Sequence, residues 1–219
     1  MASRAGARWL GLVGPMPSGP GVLTLPEARS ITEALAGEAL PGGARLILLT
    51  AAETANGVVA DAATAGVDAV QVVQHITLAE AGRLAAAPLH YIQVVHVEDE
   101  SAVPLALSYA RFADALLLDS GRPSAAVLGG TGARHDWSIS RRIVAESPIP
   151  VFLAGGLEPG NVAEAIAAVG PAGLDLCSGL RPGPDRALDA GLLAAFMAAV
   201  AGGGVAPPQE PTVQGESAR

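Results

Sequence analysis

Short, unbroken apolar runs recur along the whole chain, and helical spacing fills the intervals between them. The runs are Trp9–Val13, Ala44–Leu49, Ala69–Val73, Tyr91–Val97, Ala115–Leu118, Val151–Ala154 and Leu174–Cys177. Runs without polar alternation suit strands buried on both faces. Three intervals carry a clear helical pattern: Leu105–Phe112, Pro159–Val169 and Ala190–Val200. In the second, Val162, Ile166 and Val169 fall on one face, and Pro159 suits a first helical turn. Gly202–Gly204 ends the third. Strand–helix alternation of this kind predicts right-handed βαβ units and a parallel sheet. Seven units are recognisable, whereas a closed β/α barrel uses eight strands. A barrel short of one stave and a doubly wound open sheet both fit the count.

The chain has 219 residues, 50% of them hydrophobic, enough for one domain with a large core. That domain is expected over residues 1–204. The Pro-, Gln- and Ser-rich residues 205–219 are expected to form a disordered tail. A formal charge of −8 argues against nucleic acid as a partner. It leaves an anionic ligand open, because backbone N–H groups at helix starts hold phosphate without basic side chains. The lone Cys177 excludes an internal disulfide, and its apolar run reads as buried. No Cys/His cluster suggests a metal, and neither metal nor organic cofactor is expected. No apolar run has the length of a membrane span, and the N-terminus lacks the pattern of a signal peptide, so a cytoplasmic protein is expected.

Four places carry candidate chemistry. Asp119 ends the apolar run Leu116-Leu117-Leu118. In a parallel barrel that end of the strand faces the active site. The carboxyl reads either as a general acid or base or as a turn residue. Gly129-Gly130-Thr131-Gly132 lies in a long loop, whose length favours ligand binding over a simple turn. Asp136 follows as a helix cap. Gly155-Gly156 follows one strand, and Ser178-Gly179 follows the next and last, just past Asp175. The loops after the last two strands of a barrel often bind phosphate, and these two turns are read that way. His75, His90, His96 and His135 are scattered and read first as structural or solvated, although His75 stands on the presumed site face.

In order and spacing these motifs resemble phosphoribosylanthranilate isomerase of tryptophan biosynthesis. The resemblance is carried by Leu-Leu-Leu-Asp at 116–119, Gly-Gly-Thr-Gly at 129–132, Asp136-Trp137-Ser138, Ala-Gly-Gly-Leu at 154–157 and Asn161-Val162-Ala163-Glu164-Ala165-Ile166, with Asp175 and Ser178-Gly179 completing it. It is dense over about 113–182 and thinner back to Gly6. It implies a (β/α)8-type barrel that performs an Amadori rearrangement of a phosphorylated aminoaldose. It implies Asp119 as the general acid that opens the ribose ring. Gly129, Gly130, Thr131, Gly132, Gly155, Gly156, Ser178 and Gly179 would bind substrate and its phosphate, and Asp175 would touch the substrate.

The chain also departs from the family. The family's general base is a cysteine on its first strand, and no matching motif exists here. Gly6–Val13 looks like the family's second strand, so the first unit is expected to lie before Met1. An arginine expected after that strand is missing from Pro17–Gly21, and Arg181 stands near the place where the family often has a glutamate. Three expectations follow: an isomerase whose true start lies upstream, an enzyme for another phosphosugar, or a binding protein that keeps only the phosphate pocket. A barrel opened by one stave exposes two strand edges, which a homodimer would cover.

Overall fold

Six of the seven apolar runs become strands, the last does so only at Leu174, and each strand pairs in parallel with the next. The computed structural model describes residues 1–16, 21–37, 39–120, 135–183 and 187–203. The strands are β1 (Trp9–Val13), β2 (Arg45–Thr50), β3 (Ala69–Val72), β4 (His90–His96), β5 (Ala115–Asp119), β6 (Val151–Leu153) and β7 (Gly173–Leu174). They form one sheet in the order β1-β2-β3-β4-β5-β6-β7. The helices between and after them are α1 (Leu25–Ala34), α2 (Ala55–Ala65), α3 (Leu78–Leu84), α4 (Ala102–Tyr109), α5 (Trp137–Glu146), α6 (Val162–Val169) and α7 (Ala190–Gly202). Residues 129–132 and the expected tail 205–219 lie outside the described residues.

Helix starts are written locally. Thr24, Thr54, Thr77, Asp136 and Asp189 each precede a helix and accept a hydrogen bond from an amide of its first turn. Thr24 and Glu27 complete a reciprocal capping box at α1.

The strands are buried on both faces, as unbroken apolar runs require. On one face Val70, Val72, Leu116, Leu118 and Leu153 pack under the helices with Val58, Leu84 and Ile143. On the other, Ile47, Ala69, Ile92, Val94, Ala115 and Leu117 meet one another, with Trp9 and Phe152 against them. Fully burying one such Leu or Val is worth about 1.5–3 kcal/mol. The second cluster lies inside a curl. Gln71 on β3 lies near enough to the Asp175 carboxyl just past β7 to favour its ionised form. Four strand spacings in a flat sheet would put them about 19 Å apart, so the sheet must roll round to join them.

Among the described residues β1 and β7 pair with no further strand, so the curl does not close through backbone bonds. The segment before β1 forms a 3₁₀ turn, Ser3–Ala5, rather than a stave. That turn packs on α7, and a β-carbon on Gly6 would lie 3.2 Å from Met197 Cε.

Two boundaries near the site differ from the sequence reading. Helix α6 starts at Val162, because Glu158-Pro159-Gly160-Asn161 forms a turn instead. The Asn161 side chain holds it, accepting from the Glu158 amide at 3.0 Å and donating to the Gly156 carbonyl at 2.8 Å. Pro159 takes the second position of that turn, which its fixed φ also suits. Strand β7 ends at Leu174, well before Cys177. As a result Cys177 is exposed, not buried.

Candidate functional site at the carboxyl ends of the strands

Strand alternation aims one set of side chains into the curl. Ala115 and Leu117 face inward, so Asp119 at the end of β5 does too. Its register partner on β4 is His96, inward by the same rule. The Ser120 amide donates to Asp119 Oδ1 at 2.7 Å. Beyond β6 Ala154 is inward, and its register neighbour Asp175 follows, with the Asp175 amide donating to the Leu153 carbonyl at 2.9 Å. Gln71 faces inward from β3 between Ala69 and Val73. Polar groups from β3, β4, β5 and the end of β7 therefore gather at one rim.

Three histidines stand around that rim. His96 is only 4% exposed, and its Nε2 lies 3.0 Å from the Val73 carbonyl. A carbonyl only accepts, so Nε2 carries the proton. Nδ1 of His96 is buried without a partner among the described residues. The His96 amide donates to His75 Nε2 at 3.3 Å, which fixes the other tautomer on His75. The two rings are 5.2 Å apart between centroids. Partial desolvation of the His75 ring, and then the neighbouring His96, hold His75 below the ordinary histidine range, against a smaller pull from Glu98. His135 leads into α5 with Nε2 2.6 Å from the hydroxyl of the fully buried Ser140. Burial lowers its pKa, and the charges of Asp119 and Asp136 oppose that.

Asp175 is partly buried, and its carboxyl is pushed up to about 6. Burial is the main cause and the Asp119 charge the second. Hydrogen bonds from the Leu176 amide and Gln71 pull the other way. Two carboxyls and a glutamine thus share one electrostatic neighbourhood.

The glycine turns lie beside them. Gly155 and Gly156 have φ of +84° and +62°, the left-handed region that favours glycine. A β-carbon on Gly155 would sit 2.7 Å from Ser120 Oγ, and one on Gly179 would sit 2.1 Å from the Leu157 carbonyl oxygen. The turn after β6 is therefore wedged between those after β5 and β7. The fold brings together Asp119, Gly155, Gly156, Asp175, Ser178 and Gly179. Gly129, Gly130, Thr131 and Gly132 lie outside the described residues.

The sequence profile of N-(5'phosphoribosyl)anthranilate (PRA) isomerase matches residues 40–183. The chain belongs to the phosphoribosylanthranilate isomerase family. The isomerase of Methanocella arvoryzae is 35% identical over 183 residues, spanning 80% of each chain. That of Halobacterium salinarum is 35% identical over 199 residues, 90% of this chain and 87% of its own. Among solved structures, phosphoribosyl anthranilate isomerase from Thermotoga maritima superposes with a TM-score of 0.75 at 26% identity, covering 92% of this chain and 91% of its own. The Thermus thermophilus enzyme gives a TM-score of 0.72 at 25% identity over the same shares. These relatives are barrels of the TIM type, and the curled seven-stranded sheet is that architecture here.

Sequence reasoning did not single out Gln71 and His96, and it set His135 aside. Gln71 had a signal, since it interrupts an apolar run that is otherwise continuous. His96 ends its strand as Asp119 ends the next. Among the described residues no three acidic, histidine or cysteine side chains converge on a position that could hold a metal ion. No helix among them is long and apolar enough to cross a membrane.

Proposed function

We propose that this chain catalyses the Amadori rearrangement of N-(5-phosphoribosyl)anthranilate to the corresponding aminoketose. The observation that carries the reading is the inward carboxyl of Asp119 beside the interlocked turns at Gly155-Gly156 and Ser178-Gly179. The turns take the phosphate. It lies far from the bonds that change, so its binding energy serves to position the sugar. Asp119 serves as the general acid, giving a proton to the furanose oxygen as the C1–O bond breaks and the anilino nitrogen forms an iminium at C1. A base then takes the C2 proton, and the resulting enolamine becomes the ketone when C1 is protonated.

The test is turnover of phosphoribosylanthranilate by the full chain, followed by its fluorescence, beside Asp119→Asn. Turnover that falls by about 100-fold or more in the variant supports the reading. A folded chain that binds phosphate yet gives no turnover sinks it. Among the described residues β1 and β7 pair with no further strand, and a homodimer covering those edges is the second part of the proposal. Sedimentation of the full chain as a monomer at assay concentration would dismiss that part.

A further inference from the structure

The turn after β3 is held by side chains. Strand β3 ends at Val72, whose register partner is Gln93, but β4 runs three residues further, to His96. Gln93 is wholly buried, and its Nε2 donates to the Gln74 carbonyl at 2.8 Å and to the Val72 carbonyl at 3.3 Å. His96 Nε2 donates to the Val73 carbonyl at 3.0 Å, and the buried Tyr109 hydroxyl to the Ile76 carbonyl. Four carbonyls of one short turn thus meet side-chain donors from β4 and α4. Support of this kind fixes the place and rotamer of whatever the turn carries, as a binding constellation requires.

What it carries is His75. The side chain is exposed at the rim, with its ring 5.2 Å from that of His96 between centroids and tilted by 38°. Its Nε2 accepts from the His96 amide at 3.3 Å, so the proton of the neutral ring sits on Nδ1. That amide is the ring's one hydrogen-bond partner among the described residues. Desolvation and the neighbouring His96 hold the ring below the ordinary histidine range, and Glu98 opposes them less strongly. At neutral pH His75 is therefore an uncharged imidazole of fixed tautomer with one N–H to offer.

We propose that His75 Nδ1–H is a recognition donor for the carboxylate of the anthranilate ring, at the end of the substrate away from its phosphate. The inference rests on the isomerase reading and adds to it a residue that distinguishes this aryl amine from one without the carboxyl.

Position selects the carboxylate. The turns read as the phosphate site follow β6 and β7, whereas His75 follows β3. Strands β3 and β6 are three spacings apart, about 14 Å along the sheet and less across the curl. With phosphate at one side and C1 of the ribose toward Asp119 on β5, the ring on the anilino nitrogen lies toward β4 and β3. Its ortho carboxylate is the strong acceptor at that end. An N–H donated to a carboxylate is charge-assisted and stronger than one donated to a hydroxyl. A neutral donor also meets its ligand without first shedding the hydration of a charge.

The other two histidines of the rim have no such donor to offer. His96 has Nε2 on the Val73 carbonyl and Nδ1 sealed from solvent. His135 has Nε2 on the Ser140 hydroxyl, and its Nδ1 is buried as well.

The experiment titrates two ligands into the full chain in a calorimeter. One is the aminoketose product, 1-(o-carboxyphenylamino)-1-deoxyribulose 5-phosphate, and the other is the same compound without the carboxyl. The parent chain should prefer the first by about tenfold or more, the value of one hydrogen bond to a charged group. His75→Ala should abolish that preference by weakening the first ligand alone, with inorganic phosphate bound as in the parent. His75→Asn, whose amide N–H stands near the place of Nδ1–H, should restore part of it. In turnover His75→Ala should raise KM for phosphoribosylanthranilate by about tenfold or more and leave kcat within a few-fold. Equal weakening of both ligands would mean that the ring packs on the aryl group or meets a sugar hydroxyl, and overturns the inference. A preference that survives His75→Ala overturns it too. In both cases the isomerase reading stands. A folded parent chain that binds phosphate but neither ketose overturns both.

Discussion

Gly179 lies so close to Leu157 that a β-carbon on it would sit 2.1 Å from the Leu157 carbonyl oxygen. The obstacle is backbone, not the end of a flexible side chain. Gly179→Ala must therefore push apart the two turns read as the phosphate site. We expect a loss of about 1–3 kcal/mol in stability, the usual cost of overpacking. We also expect at least a tenfold weaker affinity for inorganic phosphate. Calorimetric titration of the variant checks the second, and wild-type affinity would contradict it.

Asp175 gives a stability prediction of definite sign. Its folded pKa is about 6, above the ordinary value of 3.8. The folded state therefore holds this proton longer than the unfolded one. The resulting stability is fully present below about pH 3.8 and is lost as pH rises through about 6. Asp175→Asn abolishes that loss. Above pH 6 the variant should be more stable than the parent by on the order of 1–3 kcal/mol, and near pH 4 about equal to it. Urea denaturation at pH 4, 5, 6 and 7 reads the difference directly.

Tyr109 is buried, with burial pushing its phenol up to about 12, and its hydroxyl donates to the Ile76 carbonyl. It thereby anchors the segment that carries His75. Tyr109→Phe leaves that carbonyl without its donor, at a cost of about 1–3 kcal/mol. Chemical denaturation should show a lower midpoint with an unchanged slope.

Leu153 is wholly buried on β6, two residues before Gly155. Leu153→Ala should cost about 2–5 kcal/mol through lost transfer energy and a cavity. A thermal midpoint within a degree of the parent would show that the site relaxes to fill the space.

Much of this was legible before any coordinates. Continuous apolar runs such as Leu116–Leu118 announce strands covered on both sides, and their alternation with helices announces parallel order. Asp119 was readable as a residue at the carboxyl rim of the sheet because it ends such a run. Gln71 and His96 were harder, because their role depends on which face of β3 and β4 the curl encloses, and that is decided by pairing across the whole sheet. Cys177 was misread because nothing local shows that β7 stops at Leu174. Pro159 was misread because two structures tolerate it equally, a first helical turn and the second place of a tight turn. Asn161, with its two hydrogen bonds, decides between them.

The sheet's neighbour-to-neighbour order has a consequence for biosynthesis. Every strand finds its partner in the stretch of chain just made, so pairing can proceed while the ribosome is still adding residues. Among the described strands no early one waits for a distant one. The exception is the rim. Gln71 emerges long before Asp175, and the two side chains come near each other only after the curl has come round. A nascent chain is therefore expected to be largely folded yet without a working site until its last strand and the turn at Ser178 have cleared the exit tunnel.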